Sequence, residues 1–283
     1  MAGCKGGADA YARLDRDYVY AIIYKMTVGV CARVKDEQRI IRDWVRHYLR
    51  FGFDRVILYD DGSNPPVKET LADNTDDRVI VIDTPTANQG EAYRDGLARC
   101  KDLDWVLLCD ADEFLWTDGR DIKSYLASAP EHVGTILVHW LTYGTSGIQK
   151  MHPHMSIFRQ FTMREPYTSY LNGYVKSFVR PAMTDMHVWV HVTCSPHKAI
   201  IHANGTRILD RENLLKTEYQ TPVGLDKMPM LLAHYMTLDH ETMARKAIRN
   251  KALTDIGNKY TPSWYKQMFT DSVRDRRMVI YDM

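Results

Sequence analysis

Cysteine is scarce in this 283-residue chain, and its five residues (Cys4, Cys31, Cys100, Cys109, Cys194) are scattered and odd in number. They form no disulfide framework. Cys31 and Cys109 fall inside apolar runs where a small buried thiol belongs, so a reducing compartment is expected. Excess charge of one sign is also missing. A formal net charge of +1 removes any electrostatic case for bulk nucleic-acid binding. No apolar run approaches the length of a membrane span, and the opening MAGCKGGADAYARLDRD has no apolar signal core. A soluble, cytoplasmic chain with no transmembrane segment is therefore expected. Internal repeats and low-complexity segments are absent. So is a glycine-rich basic loop after the first strand-like run, where the chain reads Ala32-Arg33-Val34-Lys35-Asp36-Glu37. That absence counts against a sugar-phosphate nucleotidyltransferase, which uses such a loop on a related fold.

What is present is 45% hydrophobic content, enough for one large α/β domain or one domain with an elaboration. Short apolar strand-like runs at Thr27–Val34, Arg55–Tyr59, Arg78–Asp83 and from Trp105 alternate with helical patterns at Lys35–Phe51 and Gln89–Lys101. Strands joined by helical connections spell right-handed βαβ units and a parallel sheet covered on both faces. The stretch WVLLCDADEFL, Trp105 to Leu115, organises the rest. Its apolar run stops at Asp110-Ala111-Asp112, as a buried parallel strand does when its carboxyl end opens into a site. Two carboxylates two positions apart on irregular backbone can both reach one hard divalent cation. Solvated acids at a strand end are the plainer alternative. Beyond Leu115 the pattern gives a helix at Asp121–Ala129 and strands at Gly134–Leu141, Lys176–Arg180, Val188–Thr193 and Lys198–His202. A hairpin signal follows at Asn204-Gly205, then a strand at Leu231–Tyr235. A helix at Asp239–Leu253 turns Met243, Ala247 and Ile248 inward. The aromatic, glycine-bearing loops over 142–175 read as binding elements.

Four motifs together resemble the GT-A glycosyltransferases, specifically the family 2-like and family 92-like group. They are Lys35-Asp36-Glu37 opening a helix with Trp44 and His47; FGFDRVILYDDGS over 51–63; Gln89-Gly90 with Ala92-Tyr93-Arg94 leading into WVLLCDADEFL; and His234-Tyr235 before a helix carrying Lys246 and Arg249. The resemblance covers roughly residues 26–252. It implies a GT-A, Rossmann-like, mostly parallel sheet flanked by helices, with a smaller mixed sheet in the C-terminal half. Residues 1–25 are then an N-terminal arm, 26–118 the nucleotide-sugar half, 119–255 the acceptor half of the same domain, and 256–283 a tail docked in part by Trp264, Tyr265 and Phe269. The implied activity is metal-dependent, inverting transfer from a nucleotide-diphosphate sugar, UDP favoured and GDP possible, to a glycan or other hydroxyl acceptor. The implied cation is Mn²⁺, with Mg²⁺ possible.

The same resemblance distributes roles. Asp110 and Asp112 hold the cation, or Asp110 touches the ribose and leaves Asp112 as main ligand, and His234 completes the shell. Arg33 and Asp60 line the nucleoside pocket, with Asp60 or Asp61 available to base or ribose. Gln89, Arg94 and Lys176 lie on the donor side, although Arg94 also reads as a helix-surface ion pair and His234 as a satisfied core histidine. Glu113 reads as structural or acceptor-side. For the base that inversion requires, Asp210 is the first choice, with Asp185, His197 and Glu212 as alternatives. His187, His191, Cys194 and His197 lie close enough to weigh a zinc site, but their spacing matches no ligand pattern, and His187, Trp189 and His191 would share one strand face as packing or acceptor-site groups. A non-catalytic carbohydrate-binding protein would account for the aromatics but not for paired acids at a strand end.

Overall fold

A computed structural model describes residues 26–84, 88–183, 186–195, 197–208, 224–253 and 259–282, with side chains described up to residue 249 in the fifth stretch. The strands in chain order are β1 (Val28–Val34), β2 (Arg55–Asp60), β3 (Val79–Asp83), β4 (Trp105–Leu108), β5 (Glu113–Thr117), β6 (Val133–Thr142), β7 (Met163–Arg164), β8 (Val175–Val179), β9 (His187–Val188), β10 (Thr193–Cys194), β11 (Ala199–His202), β12 (Met230–His234) and β13 (Val273–Arg274). The helices are α1 (Ile41–Arg50), α2 (Val67–Thr70), α3 (Gln89–Arg99), α4 (Ile122–Ala127), α5 (Ile157–Gln160), α6 (His240–Leu253) and α7 (Pro262–Met268).

Side-chain alternation builds two cores. On β1, Val28, Val30, Ala32 and Val34 face one side and Cys31 the other, as the two-residue period requires. The first face, extended by Val56, Leu58, Trp105 and Leu107, packs under α1 through Ile41, Trp44, Val45 and Tyr48. The second joins Cys31, Ile57, Tyr59, Val106 and Leu108 to Ala92, Tyr93 and Leu97 of α3. Helix α3 is started by a capping box, Asn88 accepting from Glu91 N and Glu91 from Asn88 N. Helix α1 starts at Ile41 rather than Lys35, because Asp36 has a left-handed φ of 57° and breaks the helical path.

The sheet runs β3-β2-β1-β4-β8-β6-β12-β5, with β11 beside β6. Strands β3, β2, β1 and β4 are parallel. β8 is antiparallel to both β4 and β6. The mixed part expected as a smaller second sheet is therefore continuous with the first. The expected strand over Val188–Thr193 is instead a short antiparallel pair, β9 with β10. The Asn204-Gly205 turn closes back onto β11 as expected, with Gly205 at φ 85° and a bridge from Ile201 to Arg207. The C-terminal tail docks: Phe269 is buried, Glu165 accepts from the backbone N–H of Thr270 and Asp271, and Arg164 pairs with Asp275 at 2.6 Å.

Candidate active site

Leu108 ends β4, and the chain turns through Cys109–Asp112 into β5, which belongs to the far end of the sheet. The turn is closed twice: Glu113 N donates to Asp110 O at 3.1 Å, and Asp110 N donates to Glu113 Oε2 at 3.0 Å. Glu113 is fully buried, and its carbonyl takes Trp44 Nε1 at 2.9 Å and Tyr48 OH at 3.1 Å from α1. This is the structural alternative for Glu113. The antiparallel register of β12 on β5 sets His234 opposite Glu113, which brings the imidazole beside Asp112.

Each aspartate meets a different buried lysine. Asp110 Oδ2 lies 2.8 Å from Lys176 Nζ, while its Oδ1 accepts from Gln89 Nε2 and, at 3.5 Å, from Tyr93 OH. Asp112 Oδ2 lies 2.9 Å from Lys246 Nζ, which also reaches Glu37 Oε1 at 3.0 Å and Met236 O at 3.0 Å. Asp112 Oδ1 is left facing His234 Nε2 at 3.3 Å. The Trp140 ring packs against that imidazole with centroids 4.1 Å apart, and His234 Nδ1 is buried with no hydrogen-bond partner among the described residues.

Burial pushes both aspartates up, but for Asp112 the Lys246 and His234 charges, and for Asp110 the Lys176 charge, outweigh it and hold each carboxyl below the usual range. Glu113 and Glu37 go the other way, raised by burial against the pull of Lys176 and Lys246 respectively. The two lysines stay charged, because neighbouring carboxylates more than offset their burial. Four carboxylates (Glu37, Asp110, Asp112, Glu113) thus share the site with two ammonium groups. Burial favours the neutral forms of Glu113 and Glu37, while the two ammonium groups offset the two aspartates. Among the described residues no three His, Cys, Asp or Glu side chains converge to hold a metal. A cation here would take Asp112 and His234 and find its remaining ligands on a substrate, as hard cations in phosphate-handling sites do.

The cluster opens into a cleft of about 560 Å³. Arg33, Lys35 and Arg249 form a cationic wall, tied together through Asp61 and the Lys35 carbonyl, and Trp140, Tyr170, Tyr174, His191, Tyr260 and Trp264 also line the cleft, as does Lys259. The model of glycosyltransferase family 92 matches residues 24–269. The chain belongs to glycosyltransferase family 92. A rice (Oryza sativa subsp. japonica) family 92 protein, Os08g0121900, is 26% identical over 147 residues, covering 48% of this chain and 24% of its own length. The chain thus spans about a quarter of that curated relative. Among solved structures, S. aureus TarS 1-349 superposes with a TM-score of 0.35 at 16% identity, over 56% of this chain and 48% of that one. The Pyrobaculum calidifontis mannosyltransferase PcManGT, in complex with GDP-Man and Mn2+, gives 0.34 at 12% identity, over 54% and 44%.

Within this family 92 chain the residues expected from sequence fall into three groups. Asp110, Asp112, His234, Gln89, Lys176 and Arg33 come together. Asp60 and Asp61 stay out of the cleft. Asp60 accepts from the N–H groups of Ser63 and Val67 at 2.8 Å each and shapes the loop after β2, and Asp61 pairs with Arg33 at 2.6 Å. Arg94 is exposed on α3 and does not line the cleft. His197 is exposed after β10 and likewise does not line it, while Asp185, Asp210 and Glu212 lie outside the described residues. The weighed zinc cluster does not form: His187 pairs in register with Cys194 at the sheet rim, while His191 faces the cleft.

Sequence reasoning missed Glu37 and Lys246 as site groups. On α6 the expected inward Met243 is buried, but Ile248 is 72% exposed, and Thr242 and Lys246 are buried in its stead. The polar stripe Thr242, Lys246, Arg249 at helical spacing was the available signal.

Proposed function

We propose that this chain is a metal-dependent, inverting glycosyltransferase that moves a sugar from a nucleotide-diphosphate donor, UDP- or GDP-linked, to a glycan hydroxyl. The observation that carries the reading is Asp112 and His234 facing each other at 3.3 Å beside a cationic wall in a family 92 chain. Mn²⁺ suits an imidazole–carboxylate pair better than Mg²⁺, which prefers oxygen. Bound there, the cation supplies a Lewis acid for the charge that grows on the departing diphosphate. Lys246 orients Asp112, and Lys176 with Gln89 fixes Asp110 toward the donor. Arg33, Lys35 and Arg249 give the diphosphate a field of opposite sign. No glycine-rich cradle lies there to favour a nucleotidyltransferase, and family membership leaves the non-catalytic reading without support.

Inversion needs a base beside the acceptor. His191 Nδ1 lies 3.3 Å from Val175 O, so an Nδ1–H donating there leaves Nε2 as the proton acceptor. Burial holds the ring down to about 4, so it is neutral near pH 7 and about as strong a base as a carboxylate. In the transfer, the acceptor oxygen bonds to the anomeric carbon as the bond to the diphosphate breaks, and the hydroxyl proton passes to His191 Nε2. The four described cysteines are buried free thiols, which supports a reducing, cytoplasmic setting. The decisive measurement is product formation from labelled UDP- and GDP-sugars with a glycan panel, with Mn²⁺ and with EDTA, the anomeric configuration read by NMR. Transfer unaffected by EDTA, or with retained configuration, overturns the reading.

A further inference from the structure

A second groove of about 600 Å³ lies between α1 and the 150–158 loop. Its outer ridge is a row of arginines at four-residue spacing, Arg42, Arg46 and Arg50, all exposed. The same three border a smaller groove of about 310 Å³ on the opposite side, joined there by Arg78. Like charges at i and i+4 repel along a helix, so α1 carries this row against its own stability. The neighbouring acids neutralise it only in part. Arg42 pairs with exposed Asp73, Arg46 lies 3.6 Å from Asp43, and Arg50 has no ion-pair partner among the described residues. Arg39 and Lys150 extend the positive groove at its upper end, held by Asp239 and Glu241 at 2.8–3.4 Å. That end adjoins the catalytic cleft, since Glu37 lines the cleft and Gln38 and Arg39 line the groove.

We infer that the Arg42–Arg46–Arg50 groove binds the anionic stretch of an acidic glycan, holding a carboxylated or sulfated acceptor while its terminal sugar enters the catalytic cleft. Guanidinium forks match carboxylate and sulfate geometry and are exposed in a line, as a polymer with regularly repeated anions requires. The site is concave, unlike a lipid surface. Its aromatic walls, His47 and Phe158, are buried and Tyr281 is half-buried, so it offers no platform for stacking nucleobases. The lining of the cleft, by contrast, mixes its cations with the acids Glu37, Asp110 and Asp112. The polymer's role as acceptor rests on the transferase reading; its binding to the groove does not.

The test is calorimetry of the full chain, without donor, against an oligogalacturonate at low salt. Dextran, vesicles of phosphatidylcholine with phosphatidylserine, and a single-stranded oligonucleotide are run in parallel. Binding of the oligogalacturonate should fall steeply with added salt and weaken about tenfold or more in Arg46→Glu/Arg50→Glu. Arg46→Lys/Arg50→Lys should keep most of it, and thermal shifts with nucleoside diphosphates should not move in either variant. No binding of the oligogalacturonate, equal binding in the Glu variant, or tighter binding to the vesicles or the oligonucleotide overturns the proposal. Binding that behaves as expected in a chain that transfers no sugar leaves the groove standing and overturns the transferase reading alone.

Discussion

Asp112 is the side chain on which most of the site chemistry converges, and Lys246 is the group that makes its position possible. Asp112→Asn keeps the shape but removes the charge that Lys246 and a cation both require. Transfer should fall by roughly 10²-fold or more, with some loss of stability because Lys246 then keeps only Glu37 as a charged partner; near-parental turnover at low Mn²⁺ would refute the assignment. Lys246→Met is the opposite case. It leaves Glu37 and Asp112 facing each other without their shared ammonium. Breaking a buried ion cluster from one side costs about 3–5 kcal/mol. Urea denaturation should show that loss, with partial recovery on adding Mn²⁺; an unchanged midpoint would mean the ammonium is not what holds the two acids together. His234→Ala should weaken activation by Mn²⁺ by about one to two orders of magnitude, equivalent to roughly 1.4–2.8 kcal/mol, and erase the preference for Mn²⁺ over Mg²⁺. A Mn²⁺ titration that matches the parent would make His234 a packing residue against Trp140.

The contact between α3 and β1 is set by one missing side chain. A Cβ on Gly96 would sit 2.6 Å from Cys31 Sγ and 3.3 Å from Cys31 Cβ, inside a core with no room to yield. Gly96→Ala should therefore destabilise by about 1–3 kcal/mol, and Cys31→Ala should recover part of it, as a double-mutant cycle in urea would show. Strands β1 to β4 and their helices were legible in the sequence because each is a local run with its own period. β5 was not: Glu113–Thr117 finds its partner in Met230–His234, and no local pattern announces a pairing over that separation. The site divides in the same way. Asp110 and Asp112 stand out at a strand end, whereas Glu37 and Lys246 look like surface charges until the fold closes over them. The inward face of α6 was right at Met243 and wrong at Ile248, because apolar spacing finds the whole buried side of a helix only when it packs on an apolar core. This one packs on carboxylates.

Across the molecule, two deeply buried histidines report on acid stability. Burial holds His47 and His139 down to about 3, while an unfolded histidine titrates near 6.5. Both are neutral in the folded chain, so unfolding below pH about 6.5 takes up protons. Their stabilisation is complete above that pH and declines as pH falls toward 3, by at most about 1.4 kcal/mol per pH unit for each ring. Urea midpoints between pH 7 and pH 4 should drop, and His47→Gln/His139→Gln should flatten that slope; a parallel slope in the variant would place the acid lability elsewhere. The ladder between β5 and β12 has a further consequence for how the protein comes into being. A nascent chain that has emerged only as far as the loop before Met230 already holds both aspartates, yet has nothing for Asp112 to face. The apposition of Asp112 and His234 therefore waits for β12, and no truncated chain that stops short of that strand can imitate it.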